Sequence, residues 1–277
     1  MRNLILLEID KMIHKKSFYI SLALVFCYCV AIYMNKTGLL VSSFFRDTDD
    51  TQRVLYGPWN GMLQSLVTGL FSINLFVLIA VSPLFSEEHT FRMNALLFTS
   101  KCGRKKCFAA KNAAAYLMGL ALVLTVVLLH VFATLILFGK EGVTCSIQPS
   151  EIKTVGSAVV DAIWLYTADV LFTISLTVLA SVLTSGVLTG TVLSFAFFAA
   201  PVIFLEGFQN VRIKFVMPAV HRTDFEEIMS IYPLNVGSIG IPYSYVIAGI
   251  LLLFTVIIMA VTKRIYETLP EEGIMWF

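Results

Sequence analysis

The chain has 277 residues, of which 58% are hydrophobic and only 14% are charged, and its formal net charge is +2. A soluble domain would carry about 25% charged residues, so this composition argues against a soluble globular protein. The only basic stretch lies at 86–112, between two apolar runs, and we therefore expect no nucleic-acid partner.

Six long apolar runs follow one another along the chain and predict an all-α polytopic membrane protein with six transmembrane helices. Each run has roughly 18 to 27 residues, enough for a helix to cross a hydrocarbon core of about 30 Å. No small-residue cleavage site follows the first run, so we expect a retained helix there and not a signal peptide. The runs lie at 17–34, 62–85, 113–138, 157–183, 187–206 and 243–262.

The positions of lysine and arginine predict that both termini lie in the cytoplasm. With the N-terminus inside, twelve of these residues fall on cytoplasmic segments and eight on outer segments. The inner charges crowd the helix ends, where the positive-inside rule has most force. The cytoplasmic stretch 86–112 alone contributes Arg92, Lys101, Arg104, Lys105, Lys106 and Lys111.

Two segments outside the runs have a predicted structure of their own. Residues 1–16 repeat apolar side chains at helical spacing and predict an amphipathic helix at the inner membrane interface, which serves either as a topogenic anchor or as a partner contact. Residues 207–242 are too broken by charges to span. We expect short helices there that enter the outer leaflet and return as a re-entrant segment.

Polar groups inside the predicted spans are candidates for function. Asp169 lies near the middle of the fourth run, where a charge costs about 2.5–3.5 kcal/mol. Asp161 lies two turns outward, and His130 in the third run falls between the two in depth. A pair of Asp169 with His130, or a lone protonated Asp169, would lower the cost. The functional hypothesis is a proton or cation relay, and the alternative is an interhelical hydrogen bond of the kind expected for Asn74.

One motif points to an enzyme. Residues 87–92 read EEHTFR and fit EExxxR, so the stretch resembles the CAAX-type intramembrane proteases, in which paired glutamates such as Glu87 and Glu88 activate a water molecule. The family's further histidine helices are missing here, since only His130 lies in another run. Cys102 and Cys107 lack the partners of a zinc site. No phosphate-binding loop is present either, and we expect no catalytic, metal or cofactor residue in this chain.

The same stretch resembles a second family, the permease subunits of type-2 ATP-binding-cassette (ABC) exporters. The resemblance rests on an acidic pair at the end of the second run, then a leucine pair, a threonine–serine turn and two basic residues. It extends over nearly the whole chain, through the six runs, the amphipathic start, the turn at 184–186 and the broken segment before the last run. The residues that carry it in the loop are Glu87, Glu88, Leu96, Leu97, Thr99, Ser100, Arg104 and Lys111.

The resemblance implies a single permease domain over 1–277 that works with other subunits. Separate ABC ATPase subunits would bind ATP and Mg, and a second permease chain, identical or related, would complete a path lined by the second and fifth helices. Residues 93–104 would form a coupling helix, with Glu87, Glu88 and Arg92 contacting the ATPase or the N-terminal helix. The basic residues would alternatively serve only as topogenic charge beside membrane lipids.

The expected location is the plasma membrane of a bacterium, and the expected cargo is a peptide, a lipid-like molecule or a drug. Two other functions stay open at the level of sequence. The first is a stand-alone ion-coupled carrier that uses Asp169, and the second is the intramembrane protease that uses Glu87 and Glu88.

Overall fold

The computed structural model describes most of the apolar part of the chain and is nearly all helical there, which confirms the all-α part of the predicted fold class, while the six spans and the cytoplasmic termini stay predictions. The described residues are 2–14, 16–36, 59, 61–63, 65–66, 73–90, 103–144, 154–184, 186–205, 234–236 and 239–268. The helices are α1 (Arg2–Ile13), α2 (Lys16–Lys36), α3 (73–81), α4 (Pro83–Thr90), α5 (Gly103–Phe138), α6 (Val155–Leu183), α7 (Val187–Leu205) and α8 (Tyr243–Thr268).

Three of these helices are long and apolar enough to cross a membrane. They are α5 over Lys105–Phe138, α6 over Gly156–Leu183 and α8 over Tyr243–Thr268. They coincide with the third, fourth and sixth predicted runs, and these lengths and compositions are those of a membrane protein. Shorter apolar helical stretches within the described residues are Ile73–Ser86 and Val187–Phe197.

The central helix of the described bundle is α6. In its most apolar stretch 67% of residues are buried by the rest of the protein, against 33% in α5 and 28% in α8. It packs against α4, α5, α7 and α8. Close approach to α5 depends on Gly119, because a Cβ atom there would lie only 2.5 Å from Cδ1 of Ile174. Small residues at helix contacts are the usual way for membrane helices to pack closely.

The contacts between helices fix their relative directions. Asn74 of α3 contacts Asp169 of α6, and twelve residues later on α6 Ser181 contacts Phe85 of α4. The second helical segment and α6 therefore run parallel. Phe85 also contacts Tyr266 near the end of α8.

Ring contacts give the directions of α8 and α5. Tyr245 at the start of α8 stacks on Trp164 near the start of α6, with ring centroids 6.5 Å apart, so α8 runs parallel to α6. Phe108 near the start of α5 contacts Tyr266 near the end of α8. Thus α5 runs in the opposite direction, as the order of the predicted runs requires.

A break interrupts the second predicted helix, which the sequence analysis treated as continuous over 62–85. The helix α3 ends at residue 81, Ser82 forms a turn, and α4 begins at Pro83. Proline has no backbone N–H and its ring clashes with the preceding turn, so it can begin a helix but interrupts one that passes through it. The prediction of one uninterrupted helix was therefore wrong at Ser82.

The N-terminal helix α1 packs against α5. Ile5, Ile9 and Met12 face the core, in agreement with the apolar face predicted for residues 1–16. Glu8 lies on the same face and is buried, with a carboxylate oxygen 3.0 Å from Nζ of Lys11. An acidic side chain thus lies inside the apolar face of this helix.

The segment before α8 ends in a small hairpin. Strand β1 (Leu234–Val236) pairs antiparallel with β2 (Ile239–Ile241), with Asn235 opposite Gly240. Short helices were expected here, and that prediction was wrong for these residues, because β-branched residues between Pro233 and Pro242 favour strands over helices. The rest of the predicted re-entrant segment 207–242 lies outside the described residues, apart from Pro242.

Candidate functional site: a polar seam along the central helix

A row of polar contacts, which we call the polar seam, joins α3 and α4 to α6. The contact between Asn74 and Asp169 lies at one end of this seam, and we call it the deep pair. In the deep pair, Nδ2 of Asn74 donates a hydrogen bond of 2.8 Å to Oδ2 of Asp169. Both side chains are inaccessible to solvent, with 0% of Asn74 and 1% of Asp169 exposed. The structure thus gives Asp169 an amide partner from another helix.

The deep pair is only half satisfied. The amide oxygen Oδ1 of Asn74 and the second carboxylate oxygen Oδ1 of Asp169 have no hydrogen-bond partner among the described residues. Two more polar side chains of α6 are near Asp169 along the helix. The buried Tyr166, one turn before it, is within electrostatic range of its carboxylate, and the buried hydroxyl of Thr173, one turn after it, has no partner among the described residues. Buried polar atoms are almost always bonded, so this group requires an explanation.

The other polar candidates lie apart from the deep pair. Asp161 is buried and accepts a hydrogen bond from the Tyr245 hydroxyl, eight residues or about 12 Å from Asp169 along α6. His130 is buried in α5, where its Nδ1 donates 2.8 Å to the carbonyl of Val126 in its own helix. The hydrogen-bond partner that the structure gives Asp169 is Asn74, whereas the sequence analysis offered a pair with His130 or a lone protonated Asp169.

Further along the seam, Ser181 of α6 holds the broken end of the second helical segment. Its Oγ donates 2.6 Å to the carbonyl of Ser82 and accepts 3.2 Å bonds from the backbone N–H groups of Phe85 and Ser86. The first N–H groups of a helix have no partner within that helix, and here a hydroxyl from a neighbouring helix supplies one. Ser181 therefore compensates for the break at Pro83.

Helix α7 also contacts the turn at Ser82. The hydroxyl groups of Ser82 and Thr191 are hydrogen-bonded at 2.8 Å. Gly190 makes the close approach possible, since a Cβ atom there would lie 2.9 Å from Oγ1 of Thr184 and 3.3 Å from Oγ of Ser82. We call Ser82, Ser86, Ser181 and Thr191 the hydroxyl cluster, and it joins α4, α6 and α7.

Beside the hydroxyl cluster lies a buried lysine, which the sequence analysis counted among the cytoplasmic charges and in the family resemblance but did not predict to be buried. Lys111 of α5 is 2% exposed, and its Nζ donates a hydrogen bond to the carbonyl of Leu84 in α4. Nζ also lies 5.0 Å from the centre of the Phe85 ring, a distance typical of a cation–π contact. Lys111 lies among Ala109, Ala110 and 113–115, and such a run of alanines was the available sign of a close helix contact.

Three aromatic rings surround this contact. Phe85 of α4, Phe108 of α5 and Tyr266 of α8 have centroids 5.3 to 5.7 Å apart, at the separations that aromatic pairs prefer. We call Lys111, Leu84, Phe85, Phe108 and Tyr266 the lysine cluster. It connects the end of the second helical segment with the start of α5 and the end of α8.

The residues predicted to couple this chain to an ATPase fall at the margin of the described part. The backbone of Glu87 and Glu88 continues α4, and Arg104 begins α5, but their side chains lie outside what is described. Arg92, Leu96, Leu97 and Thr99 lie wholly outside the described residues.

Comparison with known proteins provides no assignment. No family model matches this chain, and no curated protein matches it significantly. Within the described residues there is also no group of three or more histidine, cysteine, aspartate or glutamate side chains arranged to hold a metal ion. The chemistry of the site must therefore be argued from its own contacts.

Proposed function

We propose that this chain is the transmembrane subunit of an ATP-driven exporter of the ABC class. In this proposal it has six spans and both termini in the cytoplasm, and it lies in a bacterial plasma membrane. Separate ATPase subunits carry ATP and Mg, and a second permease chain, identical or related, completes the path for a peptide, lipid-like or drug molecule. No chemistry is assigned to this chain itself.

The observation that supports the proposal best is the attachment of the loop between α4 and α5. Its two ends, Thr90 and Gly103, lie only a few residues from Leu84 and Lys111, which bond directly to each other. The rings of the lysine cluster add the end of α8. A push on this loop would therefore move three helices together, because each is fixed to the others beside the loop.

Such an attachment is what a motor-driven permease requires. An ATPase beneath the membrane can move the helices only through a rigid connection, and a loop joined to loosely packed helices would absorb the motion. The packing of α1 against α5 adds a brace to the same helix. In this scheme residues 93–104 form the coupling helix, and Glu87, Glu88 and Arg92 contact the ATPase or α1.

Charge reversal tests the scheme. We expect Glu87→Lys together with Glu88→Lys to abolish both the co-purification of MgATP hydrolysis with the tagged chain and ATP-driven transport in vesicles. The matched control is Asp49→Lys with Asp50→Lys, the same change of charge on a predicted outer segment, which should retain both. Assembly and ATP-driven transport that survive the first double substitution contradict the proposed coupling role.

A second candidate function is favoured by the deep pair. A buried carboxylate with an unpartnered oxygen is the kind of group that ion-coupled carriers use within the membrane. A stand-alone carrier would transport without any ATPase, driven by an ion gradient, and would fail in Asp169→Asn. An ABC permease would instead lose transport when the catalytic residues of its ATPase are substituted.

A further inference from the structure

The deep pair presents a specific chemical problem. An ionised carboxylate only accepts hydrogen bonds, and its two oxygens offer about four acceptor positions. Asp169 uses one oxygen, for Nδ2 of Asn74, and its Oδ1 accepts no bond from any described residue. Oδ1 of Asn74 is also an acceptor without a donor. Two buried acceptors that belong to one hydrogen-bonded pair thus lack the same thing among the described residues, namely a donated hydrogen.

The described charges offer no ready compensation for an ionised Asp169. Asn74 is neutral, and Asp161 carries the same sign of charge. The buried ammonium group of Lys111 bonds at the level of Ser181, which is twelve residues and about 18 Å from Asp169 along α6. Described titratable side chains on the neighbouring turns and helices include Tyr166 on α6 and both Tyr116 and His130 on α5. His130 uses Nδ1 for the Val126 carbonyl.

We propose that Asn74 and Asp169 form a proton-binding site. A proton taken from water binds Oδ1 of Asp169, forms an O–H bond there and neutralises the carboxylate. This O–H then donates to Oδ1 of Asn74, while Nδ2 of Asn74 donates to Oδ2 of Asp169 as observed. The result is a closed ring of two hydrogen bonds between an acid and an amide, and one proton satisfies both unpartnered oxygens.

The proton also has a structural consequence. The ring holds α3 against α6 without a net charge at this depth, so the cost of a buried ion disappears. A metal cation would need several more oxygen ligands than the two that one proton satisfies here. The inference is independent of the exporter assignment, because it concerns only the protonation of Asp169.

Infrared difference spectroscopy on the full chain in lipid nanodiscs tests the proton directly. We expect the protonated carboxyl C=O band of the wild type to be absent from Asp169→Asn, so that it remains in the spectrum of the wild type minus that of the variant. No carboxylate band should remain in this difference. The control is Asp161→Asn, the other buried aspartate of α6, which should leave the protonated band of Asp169 in place. A carboxylate band lost in Asp169→Asn, or a protonated band that survives it, overturns the proposal.

Thermal unfolding supplies the second measurement. An asparagine at 169 can form the same two-bond ring with Asn74, so Asp169→Asn should keep Tm within about 2 °C of the wild type. The exchanged variant Asn74→Asp with Asp169→Asn should do the same and regain the protonated band. Asn74→Leu removes the ring and should lower Tm by about 2–6 °C.

A different order of the Tm values would contradict the proposal. If Asp169 is ionised and paired with a cation such as a protonated His130, Asp169→Asn leaves that cation unpaired and lowers Tm more than Asn74→Leu does. That order of Tm values overturns the proton-binding site.

Discussion

The two ends of the polar seam are built differently. At the deep pair a single hydrogen bond joins α3 to α6, and an oxygen on each side chain lacks a partner among the described residues. At the other end, one hydroxyl of Ser181 makes three hydrogen bonds, and Lys111 is both hydrogen-bonded and packed against an aromatic ring. The deep pair can therefore change its state by gaining or losing one proton, whereas the other end is held by many contacts.

The difference indicates that one end of the seam holds the helices rigidly and that the other end can bind a proton. Polar groups that are fully bonded rigidify their surroundings, and partly bonded groups are where a bound ion, a water molecule or a proton is expected. In an exporter the rigid end would lie beside the ATPase and the changeable end deeper in the membrane. Substitutions at each end show whether the two ends differ in stability and whether they act separately.

The largest effect is expected for Lys111→Ala. The substitution removes a buried side chain, a hydrogen bond to the Leu84 carbonyl and the contact with Phe85. We expect a loss of about 2–4 kcal/mol in the free energy of unfolding. The measurement is thermal or denaturant unfolding of the purified chain in detergent micelles.

The matched control is Lys106→Ala, an exposed lysine of the same helix. It should change the free energy of unfolding by less than about 0.5 kcal/mol. Equal effects of the two substitutions would mean that the buried contacts of Lys111 contribute no more to stability than an exposed charge of the same helix.

The sequence predicted the helices better than their contacts. Runs such as 113–138 and 157–183 are identified by length and apolarity alone, and Asp169 stands out because a charged residue is rare inside such a run. Asn74 as its partner follows from packing, since the two residues are 95 positions apart. No periodicity in one helix specifies which face of another it meets.

Lys111 is a second residue whose contacts with another helix could not be predicted from the sequence. It follows a cluster of exposed lysines, so composition groups it with Lys105 and Lys106. Only the contacts between α5 and α4, which bring together residues 27 apart, reveal that it is buried. The break at Ser82 was available from Pro83, but its compensation by Ser181 again depends on a neighbouring helix.

A smaller effect is expected for Ser181→Ala, which leaves two N–H groups at the start of α4 without their partner and removes one of the two hydroxyl groups, those of Ser181 and Ser86, that donate to the carbonyl of Ser82. The expected loss is about 1–2 kcal/mol, the usual cost of removing a helix-capping side chain. Ser175→Ala is the matched control, because Ser175 is equally buried on α6 but, among the described residues, bonds to the Phe172 carbonyl of its own helix and to no other helix. It should cost less than about 0.5 kcal/mol, and a larger loss there than at Ser181 contradicts the capping role.

The smallest effect is a coupling energy, and it tests the separation of the two ends. Asn74→Ala alone should cost about 0.6–1.7 kcal/mol, which runs from the average to the largest value measured for hydrogen bonds between membrane helices. Ser181 lies about 18 Å from Asp169 along α6, and substitutions this far apart usually add. The double variant Asn74→Ala with Ser181→Ala should therefore lose the sum of the two single losses within about 0.5 kcal/mol in the same unfolding measurement.

Lys111→Ala with Ser181→Ala provides the contrast. Both residues hold α4, so the loss in this double variant should differ from the sum of the single losses by more than about 0.5 kcal/mol. If the distant pair were coupled as strongly as the adjacent one, the seam would act as a single unit, and the proton at Asp169 would then influence the packing beside the loop.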